Sequence, residues 1–452
     1  MSDDAQDKDR YPTLSAHGRQ MLTMMREHPN APLFRNRSGN RLSETDVETV
    51  RAFEQEVLSA PFDWDMNSLP GWLDGFVDRC FATVPHYRSL GLAPGRFTDV
   101  APISRGDLAR DIAAFVPDDV PADRLINFST TGTTGQPLLV ASHPLVAGSY
   151  LAFHKRALKR FGIELTSGRG QVGVVLVGFQ KRCFTYVSVT PTMDNCGLAK
   201  INLHTDDWRD PSDRAKYLDA LSPEVYSGDP LSLAELATLP LKTRPRALLS
   251  TSMTMTMGWK RRLEEHFGCP VLDLYSLNEA GPIAVGDHEG LAHCLLQPGM
   301  YVEILDAEGD ALPAGARGEI TLTGGFNFCL PLLRYRTGDH ASSGMQGETP
   351  VLLGLEGRAP VRFRTAAGMW INNIDVTQAL RDLPLAQYTL HQRADSGVLF
   401  RMQGMGVSER DVVDALQTVL GASQPVTVEQ VPGFDGKVLQ YRCDFPETEP
   451  PL

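Results

Sequence analysis

No stretch of this chain approaches the ~18 consecutive apolar residues that a membrane-spanning helix requires. The acidic start Met1-Ser2-Asp3-Asp4-Ala5-Gln6-Asp7 also lacks the apolar core of a secretory signal. Both absences point to the cytoplasm and away from a membrane partner. Paired cysteines are missing too: Cys80, Cys183, Cys196, Cys269, Cys294, Cys329 and Cys443 form no Cys-x-x-Cys pair. Such scatter suits reduced core thiols rather than a disulfide framework, and His293 beside Cys294 has no second ligand pair at zinc spacing. Basic charge is in deficit, with 43 Lys+Arg against 55 Asp+Glu and a formal net charge of −12. That excludes nucleic acid as the main partner, because a phosphate backbone needs a basic face. The one basic run, His154-Lys155-Arg156-Ala157-Leu158-Lys159-Arg160, places like charges at helical i, i+4 spacing and reads as a solvated helix face without a function.

What is present is a globular chain. Its 452 residues allow two to four domains at ~100–200 residues each, and 42% hydrophobic content suffices for real cores. Residues 1–60 read as a polar, flexible arm with a lead-in helix over 44–58, capped by Ser43. Between about 120 and 355, β-branched runs such as Val172-Gly173-Val174-Val175-Leu176-Val177 and Pro270-Val271-Leu272-Asp273-Leu274 alternate with helical patterns such as 259–267, the rhythm of βα units. Over 299–323 the pattern changes to short strands around the turn Glu308-Gly309-Asp310, which predicts an antiparallel β subdomain. After Arg358, a strand-like Gly397-Val398-Leu399-Phe400 and a helix over 409–420 suit a small mobile α+β domain. The Pro-rich tail 446–451 reads as disordered, and no internal repeat is present. The expected fold class is therefore α/β, with βα subdomains and an antiparallel β subdomain followed by a small C-terminal α+β domain.

The segment Ser129-Thr130-Thr131-Gly132-Thr133-Thr134-Gly135-Gln136-Pro137 offers hydroxyls and unencumbered backbone N–H groups in one loop. Glycines let the backbone approach a phosphate, and successive N–H donors satisfy its oxygens. No Gly-Lys-Ser/Thr closes it, so it is not a Walker A loop. Downstream come Asp273-Leu274-Tyr275-Ser276-Leu277-Asn278-Glu279-Ala280-Gly281, then Arg334-Tyr335-Arg336-Thr337-Gly338-Asp339, Gly357-Arg358 and Gly436-Lys437-Val438-Leu439; upstream stand Val84-Pro85-His86-Tyr87-Arg88, Val100-Ala101-Pro102-Ile103-Ser104 and Asp107-Leu108. In this order the set resembles the adenylate-forming superfamily of acyl-CoA synthetases, and within it the phenylacetate-CoA ligase-like branch, over roughly residues 75–445.

The resemblance implies a large AMP-binding domain over 61–358 and a C-terminal lid over 359–452. It implies ATP-dependent activation of a carboxylic acid as an acyl-adenylate, with release of pyrophosphate and transfer to CoA, a carrier-protein thiol or an amine. Thr131, Gly132, Thr133, Thr134 and Gly135 would hold the leaving phosphates; Gln136 stands where relatives carry Lys, which weakens phosphate handling without removing the nest. Glu279 is the implied Mg²⁺ ligand, since a hard cation takes one or two carboxylates plus phosphate oxygens and water. Tyr275 would flank the adenine, with Ser276 and Asn278 replacing the Gly and Thr usual in its motif. Asp339 would accept both ribose hydroxyls, and Arg358 would add a ribose or phosphate contact. Arg334 and Arg336 read equally as surface ion-pair residues. Lys437 would be the catalytic lysine, a point charge on a flexible stem brought in by lid closure. By the same analogy the acid lies among residues 175–205, 226–232 and 249–257, where Phe179, Phe184, Tyr186, Tyr226, Met253, Met255 and Met257 suit an aromatic or hydrophobic acid, although core packing explains them equally well.

One departure bears on mechanism. Thioester-forming relatives swing the lid about a residue two positions after the Arg of Gly-Arg, and here that residue is Pro360. Proline fixes φ near −65°, so a hinge needing large torsion changes is stiffened, which favours an acceptor other than CoA. Two other readings share these residues. Relatives in natural-product pathways activate nitrite for transfer to an aryl amine, a diazotase-type use of the same site. Alternatively Gln136, Ser276 and Asn278 mark a retired ligase that binds nucleotide without chemistry. The partners implied are a small-molecule acid and its acceptor, with the chain a monomer or homodimer.

Overall fold

The computed structural model describes residues 8–61, 69–91, 95–129, 138–181, 183–347, 349–357, 361–404, 406–434 and 438–445. Its centre is a 13-stranded sheet in which two kinds of pairing meet at the strand Val271–Leu277. On one side Ala247–Ser250, Val225–Gly228, Val172–Gly178 and Cys196–Asn202 follow in parallel, and Tyr186–Thr190 closes the edge antiparallel. On the other side Gly281–Gly286, Ala292–Leu295, Thr349–Glu356, Leu332–Gln346, Arg317–Gly324 and Met300–Leu305 are all antiparallel. The antiparallel region expected over 299–323 is thus present, and its strands continue the main sheet.

The parallel half follows from its sequence. Its strands Val172–Gly178 and Ala247–Ser250 are near-continuous apolar runs because both faces are covered. Successive residues alternate between two cores, as a period of two requires. Val175, Tyr226, Leu248 and Val271 pack on one face beneath Leu218, Leu236, Trp259 and Leu263 of the crossover helices Asp213–Leu221, Pro230–Thr238 and Met257–Phe267. Val174, Val225, Leu249 and Leu272 pack on the other beneath Ala152 and Phe153 of helix Pro144–Arg160. The helix expected over 259–267 begins two residues earlier, because the Thr256 hydroxyl caps it by accepting from the Trp259 N–H at 3.2 Å. A separate core including Phe363, Leu390, Phe400, Val412 and Leu416 builds the C-terminal region, where a four-stranded sheet packs with the expected helix Glu409–Leu420.

Two expectations are corrected. Residues 8–60 are not a flexible arm. Met21, Leu22 and Met25 form a stripe on helix Ala16–Glu27 that is buried against the edge strands, and Tyr11 donates to Val187 O at 3.3 Å. The helix Glu44–Ser59 does form where expected, closed by a reciprocal Ser43–Asp46 capping box. The basic run is not a solvated face either. Arg156 is 3% exposed and donates to the carbonyls of Val57 and Pro61, while Lys155 pairs with Glu54 at 2.6 Å. Helix Glu44–Ser59 lies across helix Pro144–Arg160 and covers those positions, with Leu42 and Val50 closing over Gly148. No helix among the described residues is long and apolar enough to cross a membrane.

Met25 has no exposed surface and its sulfur lies against Gly197. Met25→Ala is therefore expected to destabilise the protein by about 2–5 kcal/mol in urea unfolding. A loss below about 0.5 kcal/mol, the level of an ordinary surface change, would contradict this packing.

Candidate active site

A cavity of about 1970 Å³ opens along the carboxyl ends of the parallel strands, on the face shared with helix Pro144–Arg160. That is the usual location of ligands in open α/β sheets. Ala147, Leu151 and His154 face it from the helix at i, i+4, i+7 spacing, and Tyr150 joins them. Tyr275, Ser276, Asn278, Glu279, Arg336 and Asp339 line its other side. The structure therefore gathers most of the described site candidates around one space.

Two carboxylates are held there by two phenols. Tyr275, near the end of strand Val271–Leu277, donates to Asp339 Oδ2 at 2.8 Å across 64 residues of sequence. Tyr335, on strand Leu332–Gln346, donates to Glu279 Oε1 at 2.5 Å across 56 residues. Burial, reinforced by the adjacent carboxylate, pushes each phenol well above its ordinary range, so each remains a donor at neutral pH. Tyr275 is 9% exposed and packs in the core while also lining the cavity.

Each carboxylate is positioned locally. Asp339 N donates to Thr337 Oγ1 at 3.1 Å, and Thr337 is itself tied to Ile320 O. Gly338 between them has φ +80°, and its N–H reaches Glu319 Oε1 at 2.8 Å. Pairing of His340 with Glu356 brings Gly357 alongside, where a Cβ would lie 3.4 Å from Asp339 Oδ1. Glu279 is 5% exposed in the turn that ends at Gly281. Gly281 has φ +73°, and a Cβ there would come within 2.4 Å of the Phe326 ring, so only glycine fits. Arg105 Nη1 stands 3.7 Å from Glu279 Oε1. Arg105 is delivered by Ile103–Ser104, which pairs parallel with Tyr335 and Arg336, and by the Ser104–Asp107 capping box that starts the next helix. Glu279 Oε2 has no hydrogen-bond partner among the described residues.

Sequence reasoning missed Tyr335, Arg105, Tyr150 and His154. Tyr335 and Ser104 stand inside quoted motifs, but nothing in spacing alone connects them to Glu279. Tyr150 donates to Asn278 O at 3.4 Å. Burial holds His154 down at about 4, so it faces the cavity as a neutral imidazole. Arg334 is a correction to the surface ion-pair reading: it is 3% exposed, ion-paired to Glu303 at 3.2 Å, and bonded to the carbonyls of Thr98, Val100 and Gly309. Its role is to lock the antiparallel region. Arg336 pairs with Glu319 at 2.7 Å beside the turn before Asp339.

Of the expected acid-pocket residues, Phe184, Tyr186, Met253, Met255 and Met257 line the cavity. Tyr226 does not, because alternation along Val225–Gly228 turns it to the opposite core and gives Ser227 to the cavity. Phe179 packs against that same core, with its ring 6.0 Å from His204. Thr131, Gly132, Thr133, Thr134, Gly135, Gln136, Arg358, Pro360 and Lys437 lie outside the described residues. Their neighbours do reach the cavity: Ile126 and Phe128 from the strand Ile126–Ser129, which pairs antiparallel with Leu139–Ser142, and Val438, Leu439, Gln440 and Tyr441 after Lys437.

No family model matches the chain. Among characterised proteins it is 22% identical over 258 residues to Protein CapK of Staphylococcus aureus, covering 55% of this chain and 54% of that one, so the match spans about half the length of that relative. Among solved structures, a 2-hydroxyisobutyryl-CoA ligase in the postadenylation state in complex with 2-HIB-AMP matches with a TM-score of 0.61 at 17% identity, over 88% of this chain and 90% of that one. An open conformation of that ligase with 2-HIB-AMP and CoA matches at 0.52 and 18% identity, over 81% and 89%. The extent of these superpositions, read with the element order above, gives the chain the fold of the adenylate-forming ligases.

Proposed function

We propose that the protein uses ATP to activate a carboxylic acid, with an aromatic or hydrophobic body, as an acyl-adenylate. In the first step a carboxylate oxygen bonds to the α-phosphorus, the bond to the bridging oxygen breaks, and pyrophosphate leaves with the electron pair. In the second a thiol or amine attacks the acyl carbon, and AMP departs. The observation that supports this reading most is the convergence of Tyr275, Glu279 and Asp339 on one cavity at the carboxyl ends of the parallel strands.

Asp339, oriented by the Tyr275 hydroxyl, accepts the ribose hydroxyls, and the Tyr275 ring flanks the base beside Ser276 and Asn278. Thr131, Gly132, Thr133, Thr134 and Gly135 receive the departing phosphates, and Arg358 adds a contact beside Gly357. Glu279 fits a magnesium ion: one oxygen is fixed by Tyr335, and the other has no partner among the described residues. When bound, that ion neutralises charge on the phosphate oxygens. Lys437, on a lid running from 359, supplies the positive charge at the reacting carboxylate and α-phosphate; residues 61–358 form the domain it closes on. Preorganised charge of this kind is the main source of acceleration in phosphoryl transfer.

Pyrophosphate release over a panel of aromatic, fatty and amino acids, with nitrite plus aryl amines as a further arm, tests the reading. Asp339→Ala is expected to raise the KM for ATP about tenfold or more. Glu279→Gln and Lys437→Ala should lower kcat about a hundredfold or more. Undiminished release in Lys437→Ala would contradict the assignment, and release with nitrite alone would select the diazotase-type reaction.

Pro360 follows Gly357 by three positions, at the proposed junction with the lid. Pro360→Asp is expected to raise thioester formation from CoA relative to adenylate formation. An unchanged ratio would remove the stiffened hinge from the account.

A further inference from the structure

The cavity is divided by charge. Every carboxylate that lines it among the described residues, Asp273, Glu279, Asp287, Glu319, Asp339 and Glu356, sits on the strand Val271–Leu277 or beyond it on the antiparallel side. The opposite end has none among the described residues and carries cations instead. Strand Cys196–Asn202 lies four strand steps from Val271–Leu277, roughly 19 Å at ~4.8 Å per step. Lys200 there is the register partner of Leu176 on one side and Tyr186 on the other, so the three side chains share the face that borders the cavity.

Lys200 is half-buried, and its ammonium has no hydrogen bond or ion pair among the described residues. Arg10 and Arg41 border the same end. Their segments are joined where Arg41 N donates to Arg10 O at 2.8 Å, and are held on the edge strand where Tyr11 donates to Ser188 Oγ at 3.3 Å. A partly buried cation is costly unless a counter-charge reaches it. An anionic group lying in the cavity, against the apolar surfaces of Leu176, Tyr186 and Met255, would supply that counter-charge.

We propose that Lys200 binds a second anionic group on the acid, remote from the carboxylate being activated. The substrate class is then an acid with an apolar or aromatic body and a distal carboxylate or equivalent charge. This rests on the adenylating reading above and specifies its substrate. The same chemistry exists in the phosphates of a CoA-type acceptor, and the first half-reaction, run without acceptor, separates the two sources.

Pyrophosphate release is measured without CoA for two matched pairs, 4-carboxyphenylacetate against phenylacetate and adipate against hexanoate. The dianionic member is expected to show a kcat/KM at least about tenfold higher, the scale of one charge-assisted contact. Lys200→Met should bring the ratio near one, Lys200→Arg should retain it, and Lys200→Glu should shift preference to 4-(aminomethyl)phenylacetate. A ratio near one in the unaltered protein overturns the proposal, as does a Lys200→Met effect confined to the KM for CoA in thioester formation. If no acid yields pyrophosphate, the adenylating reading fails separately. Thermal stabilisation of the full chain by 4-carboxyphenylacetate, present in the unaltered protein and lost in Lys200→Met, then supports the Lys200 site, and its absence overturns it.

Discussion

Two strands that are not neighbours in the sheet exchange a phenol for a carboxylate in both directions. Tyr275 reaches out from Val271–Leu277 to Asp339, and Tyr335 reaches back from Leu332–Gln346 to the turn that carries Glu279. A hydrogen bond to a charged group contributes about 1.5–3 kcal/mol, and a buried carboxylate left without one costs at least as much. The paired arrangement therefore fixes the spacing of two acids that face the same space. Everything proposed about the nucleotide depends on that spacing being set before any ligand arrives.

The sheet explains why the exchange occurs where it does. The run of parallel βα strands ends at Val271–Leu277, and the chain reverses through the tight turn at Gly281 into the antiparallel half. The turn thrusts Glu279 out of the sheet at this boundary. The long strand Leu332–Gln346 passes over Ile103–Ser104, whose pairing with Tyr335 and Arg336 sets Arg105 beside Glu279. Arg334, buried with Glu303, anchors the start of the same strand. The C-terminal region meets this frame at the helix Met257–Phe267, where the Thr256 hydroxyl donates to the Leu383 and Leu385 carbonyls and Gly258 leaves no room for a side chain. Its residues Val438 to Tyr441 complete the cavity wall.

Much of this was legible in the sequence, for specific reasons. The βα rhythm and the helix capped by Ser43 follow from periodicity and capping chemistry, which are local. Glu279 and Asp339 stood out because they occupy short motifs bounded by glycine. The bonds that tie them could not be read, since the donors lie 56 and 64 residues away and spacing carries no information about pairing across a sheet. Residues 8–60 read as a polar arm because the apolar stripe Met21, Leu22, Met25 is short and interrupted by polar residues, yet it is enough to cover an edge strand. Sequence alone leaves Tyr226 open between pocket and core, because a strand of four residues is too short for its alternation to be phased without its neighbours. Lys200 carries no signal in the sequence, since its meaning depends on the strands beside it.

The most direct measurement is a crystal structure of the full chain with AMP bound. The account predicts the ribose hydroxyls within hydrogen-bond distance of Asp339, the adenine against Tyr275, and the phosphate directed toward Glu279. AMP found elsewhere on the molecule, with Asp339 and Glu279 touching none of it, would contradict the account.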